Sequence, residues 1–549
     1  MDRPWQAEYD AQVPKTLAYS EGTIYDLFIR AVDANPGGVA TVFMGKKIRY
    51  RTLNFLINRF AAALASIGVE KGSRIALILP NLPIYPIAHL ASMKLGAVLV
   101  PTNPLYVERE LIHQLNDSGA DTVVVFDRLY PRIQKVRSET SVKRIVVAGL
   151  RSFLPPVLGF IYGWRNKPVA RTDPSAGIYT YEDLMREAGG TVETAKVDTR
   201  EAALLLYTGG TTGLSKGAVL THHNLVVNVE QIRAWLWQIR DKQEVLLCVL
   251  PFFHSYGMTT GMHLAFSCAS SMVLVPRFEV KEMIKRIRKH RPTIFCGVPS
   301  MYNAINHAGV SARDVGSIRL CVSGGSALPG EVQKKFENLT GGKLVEGYGL
   351  SEASPVTHVN PVAGKRRAGS IGLPVPDTDA MIFNPDTGKA VQPGEVGELA
   401  VRGPQVMKGY WEKDDETARV LRGGWLYTGD MAVMNKEGFF SVVDRKKDLI
   451  ISAGMNIYPR EVEEVLHQHP KIVEAAVIGV PSKVRDEKVK AFIVIREGED
   501  LNRQELIRFC KDKLAGFKIP KDIEFVDALP KSAVGKVLKR VLREQAISK

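Results

Sequence analysis

Residues 73–101 read SRIALILPNLPIYPIAHLASMKLGAVLVP. "SRIALILP" (73–80) and "AVLVP" (97–101) are short, β-branched apolar runs of strand length. Between them "IYPIAHLASMKLG" (84–96) has the length and residue types of a helix, with Gly96 as its stop. A strand, a helix and a strand, apolar throughout, make a βαβ unit whose sheet is covered on both faces. The pattern recurs in "ADTVVVF" (120–126), "KRIVVAG" (143–149), "TIFCGVP" (293–299) and "RLCVSGG" (319–325). From about 375 the texture changes to short β runs with tight turns, as in "DAMIFNPDTG", "GEVGELAVRG" and "GFFSVVDRKKD". A further pattern starts near 448: strand "LIIS", turn "AGMNIYP", helix "REVEEVLHQH", strands "EAAVIGVP" and "KVKAFIVI", helix "NRQELIRFCKDKL". The expected class is α/β. A large N-terminal domain, 1–444, has layered α/β subdomains and a small β-rich subdomain. A C-terminal α+β domain, 445–549, follows, with the boundary in the charged string "DRKKD" (444–448).

The composition suits a globular chain: of 549 residues, 45% are hydrophobic and 24% charged. The net charge of +15 favours anionic partners such as nucleotides, a coenzyme or an acidic membrane surface. The cluster "KRIRKHR" (285–291) reads as the solvated face of a helix, with Met283, Ile284 and Ile287 as its apolar stripe and Pro292 as its stop. No nucleic-acid module is present, so no nucleic-acid partner is expected. The five cysteines (Cys248, Cys268, Cys296, Cys321, Cys510) lack metal-like spacing and mostly sit in apolar runs. They read as free thiols of a reducing compartment, and the chain as cytoplasmic. "MDRPWQAEYD" lacks the apolar core of a signal peptide. No run reaches the ~18–20 apolar residues of a spanning helix. "FLPPVLGFIYGW" (153–164), followed by "RNK", is too short to span. It reads either as a buried loop or as a surface element dipping into a membrane interface, with basic residues at the head groups.

In open α/β sheets ligands bind beyond the carboxyl ends of strands. Two Gly-rich turns follow strand-like runs, one at 208–213 and one in "SGGSALPG" (323–330). The first belongs to "YTGGTTGLSKG" (207–217). Its glycines allow close backbone approach, its Thr and Ser hydroxyls are donors, and Lys216 is a compact cation. Such a loop suits phosphate. It is not the common P-loop, which needs Gly directly before its Lys and Ser or Thr directly after; here Ser215 precedes and Gly217 follows. Its companions are "PFFHSYGM" (251–258), "EGYGLSE" (346–352), "YTGD" (427–430), "DRKKDLIISAGMNIYPREVE" (444–463) and "LPKSAVGKVLKR" (529–540).

Each fragment alone is a turn, but all six in this order resemble the adenylate-forming acyl-/aryl-CoA synthetase superfamily over nearly the whole chain. "YTGGTTGLSKG", "VLPFFHSYGMT", "GGKLVEGYGLSEASPVTH", "GPQVMKGYW" and "DRKKDLIISAGMNIYPREVEEVL" look like bacterial long-chain fatty-acid–CoA ligases. The resemblance implies ATP, Mg²⁺ and coenzyme A as cofactors, and a fatty acid as the acid activated. The carboxylate would attack the α-phosphorus of ATP to give an acyl-adenylate and pyrophosphate. A thiol would then displace AMP. Charge builds up in the first step, which calls for cations and a metal there.

By resemblance, Thr208, Gly209, Gly210, Thr211, Thr212, Gly213 and Lys216 hold the leaving phosphates. Ser351 contacts the α-phosphate, and Glu352 holds Mg²⁺ together with Thr208. Tyr348 stacks on adenine within Glu346–Gly347–Tyr348–Gly349, and Gly325 and Ser326 line the base. Asp430 grips the ribose, with Arg445 beside it. Lys536 bridges the carboxylate and α-phosphate and, with Glu352, His254 and Ser351, forms the catalytic set. The small domain would rotate about Lys447 between the half-reactions and bring Gly454 to the pantetheine tunnel. The acyl chain would meet Trp235, Tyr256, Gly257 and, through "GSIG" (369–372), Gly372. Read from their own context, His254 and Trp235 could equally pack in a core, and His222 and His223 start a helix.

Two residues depart from the family pattern. Ser215 stands where the family usually has Pro, at a cost of ~0.4–1 kcal/mol in loop pre-organisation. Ser351 stands where Thr is commoner, and the hydroxyl is kept. A carrier-loading acyl-AMP ligase is the second reading, but 444–463 lacks the insertion such relatives tend to carry near the hinge. A non-catalytic relative would lose Glu352, Asp430 or Lys536, and all three are present. Medium-chain or other apolar acids remain open. A homodimer is compatible with the resemblance.

Overall fold

The structure is a computed structural model. It describes residues 2–165, 169–208, 215–445, 448–452, 455–481, 487–511, 513–532 and 535–547. The predicted site residues Gly209, Gly210, Thr211, Thr212, Gly213 and Gly454, and the hinge Lys447, lie outside the described residues.

The opening stretch forms the expected unit. Strand Arg74–Ile78 leads into helix Ile84–Lys94 and then strand Val98–Pro101, paired in parallel with the first strand. Every residue of that helix is buried, which is why its sequence has no polar face. Gly96 closes it with φ +70°.

The chain divides into two compact units, one of Met1–Asp379 with Arg402–Leu426, the other of Ala380–Val401 with Tyr427–Lys549. The larger holds two sheets. An eight-stranded sheet runs 409–410, 216–221, 202–208, 98–101, 74–78, 122–126, 144–148, 178–180, and is parallel from 202–208 outward to 178–180. Its buried Val and Ile side chains, such as Val123, Val125, Ile145 and Val147, pack with Leu115 and Ile133 from helices Glu108–Ser118 and Tyr130–Val136. A nine-stranded sheet runs 373–374, 356–359, 343–349, 320–323, 294–297, 245–248, 271–274, 39–43, 46–49. Its centre is parallel and its ends are antiparallel.

The smaller unit holds 380–383, 396–401, 427–434 and 440–445 of one sheet. It also has the strands Ile472–Pro481, Glu487–Ile495 and Asp522–Phe525, with helices Pro459–His467, Arg503–Lys511 and Lys539–Ile547. Ile450, Ile457, Val462, Leu466, Val477 and Ile493 form its core.

Several readings change. "AGMNIYP" was expected as a turn, but Met455–Ile457 is a strand pairing antiparallel with Ile450–Ser452. The last strand and last helix were not predicted; Asp522–Phe525 is four residues long and half-buried, too short to show a period. Segment 153–164 is not a buried loop. Pro156–Arg165 is a helix with large apolar side chains in solvent. The cluster 285–291 lies, as expected, on helix Val280–His290, with Met283, Ile284 and Ile287 buried. Helix His222–Trp235 begins at the two histidines and is capped by Thr221 and Asn224. All five cysteines are free and buried. Among the described residues no helix is long and apolar enough to cross a membrane.

Candidate active site

The phosphate-loop candidate joins two antiparallel strands. Ala202–Thr208 enters it, Lys216–Thr221 leaves it, and Thr208 sits directly opposite Lys216. Its two ends are therefore held at one ladder position whatever lies between. Packing fixes the frame. The Tyr207 hydroxyl donates to Asp117 Oδ2 at 2.7 Å, and His113 Nε2 lies 2.8 Å from the Ser215 carbonyl.

Glu352 converges on the same place from a short turn, Ser351–Ala353, that follows strand Lys343–Gly349. Its Oε1 accepts hydrogen bonds from Thr208 Oγ1 at 3.3 Å and from the Tyr410 hydroxyl at 2.9 Å. The Lys216 ammonium pairs with Glu416 and lies 5.4 Å from the centre of the Tyr410 ring. Burial, and then the Glu352 carboxylate, push the Tyr410 phenol up, so it stays a neutral donor at ordinary pH. Ser351 Oγ is 3.3 Å from Ser255 Oγ. The larger unit thus gathers Thr208, Lys216, Ser351 and Glu352, as the sequence proposed, and adds Tyr410, Glu416 and Ser255. Tyr410 lies in the family-like segment "GPQVMKGYW" (403–411) without being singled out there, and Glu416 follows in the acidic run "EKDDE" (412–416). Their part depends on strand Gly409–Tyr410 pairing with 218–219, a contact across 190 positions that has no local signal.

A carboxylate held by two hydroxyls offers hard oxygen donors, the set a small divalent cation such as Mg²⁺ takes. Glu352 and Thr208 therefore fit such an ion. Among the described residues there is no cluster of three His, Cys, Asp or Glu that would form a self-sufficient metal cage.

The adenine candidates lie on two neighbouring strand ends. Glu346, Gly347, Tyr348 and Gly349 finish strand Lys343–Gly349, and Ser323 opposite Glu346 leads into Gly325 (φ +82°) and Ser326. Tyr348 meets His358 edge-to-face at 5.9 Å. Burial pushes the His358 imidazole down to about 3, so a neutral ring backs Tyr348.

The acyl candidates have other work in this structure. Trp235 is buried, donates from Nε1 to the Asn360 carbonyl at 3.1 Å and meets Tyr9 edge-on at 5.0 Å. Its side chain packs in a core. The Tyr256 hydroxyl donates to the Val322 carbonyl at 2.8 Å, tying helix Ser255–Gly257 to a sheet strand. A Cβ on Gly257 would fall 2.4 Å from the Pro251 carbonyl oxygen, and one on Gly372 (φ +95°) 2.1 Å from the Val359 carbonyl carbon. Both glycines are thus required by backbone crowding. His254 caps that short helix, its Nδ1 accepting from Tyr256 N at 3.2 Å. A small cavity lined by Leu246, Cys248, Gly257, Thr260, Ile294 and Cys296 holds about 10 Å³, room for about one water.

In the smaller unit Asp430 and Arg445 are cross-strand partners, with Arg445 Nε 3.4 Å from Asp430 Oδ1. Asp444 next to them accepts from the backbone N–H groups of Arg445 and Arg460, at 2.7 and 2.8 Å, and so pins helix Pro459–His467 to the strand. Lys536 sits on a tight turn. Its N–H donates to Ser532 Oγ at 3.2 Å, and its carbonyl accepts from Ser532 N at 2.8 Å.

The sequence profile of the AMP-binding enzyme family matches residues 28–411, and that of the AMP-binding enzyme C-terminal domain matches 461–536. A long-chain-fatty-acid–CoA ligase of Bacillus subtilis is 43% identical over 548 residues, covering 99% of this chain and 98% of its own. One of Escherichia coli O157:H7 is 38% identical over 562 residues, covering 100% and 99%. The crystal structure of ATP-bound MatB from Rhodopseudomonas palustris, 29% identical, superposes with a TM-score of 0.84 over 96% of this chain and 100% of that one. A loop-and-carboxylate site on such a frame, matched by profiles over both parts of the chain and by relatives aligned end to end, has one family to belong to: the chain is a member of the AMP-binding enzyme family.

Proposed function

We propose that this protein is an AMP-forming fatty-acid–CoA ligase with long-chain acids as its substrates. The observation that carries the reading is the hydrogen bond from Thr208 to Glu352, 144 positions away, with Lys216 opposite Thr208 on the ladder and beside the Tyr410 ring that also binds Glu352. The long chain length rests on the curated relatives of Bacillus subtilis and Escherichia coli, aligned over nearly their whole lengths.

The chain's own groups fit the two half-reactions. Loop 208–216 grips the β- and γ-phosphates, and Lys216 exchanges Glu416 for a phosphate oxygen. Glu352 and Thr208 would hold Mg²⁺, which offsets the charge that builds up on the phosphates. Ser351 donates to the α-phosphate and Tyr348 stacks on adenine. Asp430 binds the ribose hydroxyls, with Arg445 holding its carboxylate in place. Lys536 brings the fatty-acid carboxylate to the α-phosphorus. The segment from 445 onward then turns about Lys447, withdrawing Lys536 and presenting the backbone near Gly454 to the CoA arm. This functional boundary at 444/445 differs from the compact division of the structure. Trp235 gates the acyl chain by leaving its bond to Asn360. Segment 153–164 touches the membrane from which so greasy a substrate comes. A homodimer rests on the family resemblance alone.

The test is a product assay with Mg-ATP, CoA and acids from acetate to oleate, following AMP, pyrophosphate and acyl-CoA separately. Acyl-CoA with stoichiometric AMP, greatest for long chains, is expected. Pyrophosphate and adenylate without thioester would mean a carrier-loading enzyme, and no turnover with any acid would remove the acyl assignment. Lys536→Ala should nearly abolish adenylate formation while sparing thioester formation from pre-made acyl-adenylate. Equal loss in both would refute the domain rotation.

A further inference from the structure

Helix Pro156–Arg165 is built with its faces reversed. Val157, Phe160, Ile161 and Trp164 recur at i, i+3, i+4 and i+7, the spacing of one helical stripe. That stripe faces solvent: Val157 is 72%, Phe160 71% and Trp164 82% exposed. The glycines mark the inward face. A Cβ on Gly159 would lie 3.1 Å from the Arg151 carbonyl oxygen, and one on Gly163 3.0 Å from Arg151 Nε. The helix therefore docks through two side-chain-free positions and displays its apolar side chains. A water-facing helix normally buries such a stripe.

What surrounds the helix says what covers it. The hairpin Val39–Phe43/Lys46–Arg49 turns through Met44 (φ +47°) and Gly45, which leaves Met44 exposed at its tip. Lys46 Nζ from that hairpin donates to the Ser152 carbonyl at 2.6 Å, at the foot of the apolar helix. On its other side the hairpin meets helix Val280–His290. A Cβ on Gly45 would lie 3.9 Å from Lys289 Nζ, and His290 is pushed down by burial and then by the charges of Lys289, Arg286 and Lys47. Lys285 and Arg288 of that helix are paired with Glu282 and Asp314. Lys47 and Lys289 are exposed and carry no ion pair among the described residues.

We infer that these three elements form one docking face for a bilayer surface rich in anionic lipid. The 156–165 stripe and Met44 enter the acyl boundary, and Lys47 and Lys289 neutralise lipid phosphates beside them. This rests on the membrane contact proposed for 153–164 and extends it in two ways. It names the lipid charge the protein selects, and it recruits a basic helix more than 100 positions downstream. An apolar stripe alone binds neutral and anionic bilayers alike; only the cationic rim makes it discriminate.

The experiment is flotation of the full chain with vesicles of phosphatidylcholine, with and without phosphatidylglycerol. The variants are Phe160→Asp/Trp164→Asp and Lys47→Gln/Lys289→Gln, with circular dichroism and thermal unfolding to check each fold. The wild type is expected to float with the anionic vesicles far better than with neutral ones, and less so at high salt. The Lys pair should weaken that binding about thirtyfold, and the aromatic pair at least about tenfold. Equal binding to neutral vesicles, or an undiminished Lys variant beside a crippled aromatic one, would overturn the anionic face and leave the membrane reading of 153–164 standing. An undiminished aromatic variant, or a wild type that floats with neither, would overturn both. A dimer in solution that the aromatic variant dissolves, with no flotation, would assign the stripe to a second copy of the chain.

Discussion

At the scale of single residues the site is a set of exchangeable partners. Lys216 faces Glu416, and Glu352 is held by Thr208 and Tyr410. A partly exposed ion pair of this kind is worth about 0.2–1 kcal/mol. On the proposed reading, ATP phosphates take the place of Glu416 at Lys216. Glu416→Gln removes the competitor, so the Kd for ATP measured by calorimetry should fall, by up to about fivefold, with thermal stability nearly unchanged. A rise in Kd would mean that Glu416 aims Lys216 rather than competes with ATP.

At the scale of elements the site depends on where strands end. Lys343–Gly349 delivers Tyr348, and its antiparallel neighbour Val356–Val359 pairs in turn with Leu373–Pro374. Gly372 lies where this last strand passes the Val359 backbone with no room for a Cβ. Gly372→Ala should therefore destabilise the protein by more than about 2 kcal/mol, seen as a lower urea midpoint, whatever its effect on fatty-acid binding. An unshifted midpoint would show that the backbone can yield there. The sequence carried the parallel strands well, since Arg74–Ile78 and Leu320–Ser323 are apolar runs cut off by turn residues; the phosphate-loop reading rests on composition, and 209–214 lie outside the described residues. Three things were hidden. Tyr410 and Glu416 reach the site only through a two-residue strand pairing. The sequence does not show that backbone crowding requires Gly257 and Gly372, whatever they line. Segment 153–164 stays open in sequence between a buried loop and a surface element, because periodicity cannot say which side of helix Pro156–Arg165 faces water.

At the scale of the whole molecule, buried histidines set the acid limit of the fold. Burial pushes His222 down to about 4, and His263 and His358 to about 3. The folded state holds these rings neutral, while the unfolded chain protonates them below ~6.5. Stability is therefore full above that pH and falls as the pH drops toward 4, by up to ~1.4 kcal/mol per pH unit for each ring. Urea midpoints taken from pH 7 to 4.5 should trace this fall, and His358→Gln should flatten it by the share of one proton. A profile unchanged by that substitution would mean that His358 is protonated in the folded state.

The chain passes between its two compact units three times, at 379/380, 401/402 and 426/427. A recombination event with a single crossover can therefore exchange the segment after 444 as one cassette, but not the compact smaller unit. That unit moves intact only if 380–401 is inherited from the same parent as everything after 426. Chimeras of related chains joined near 400 or 426 should accumulate mismatched strands, and those joined just before Arg445 should not.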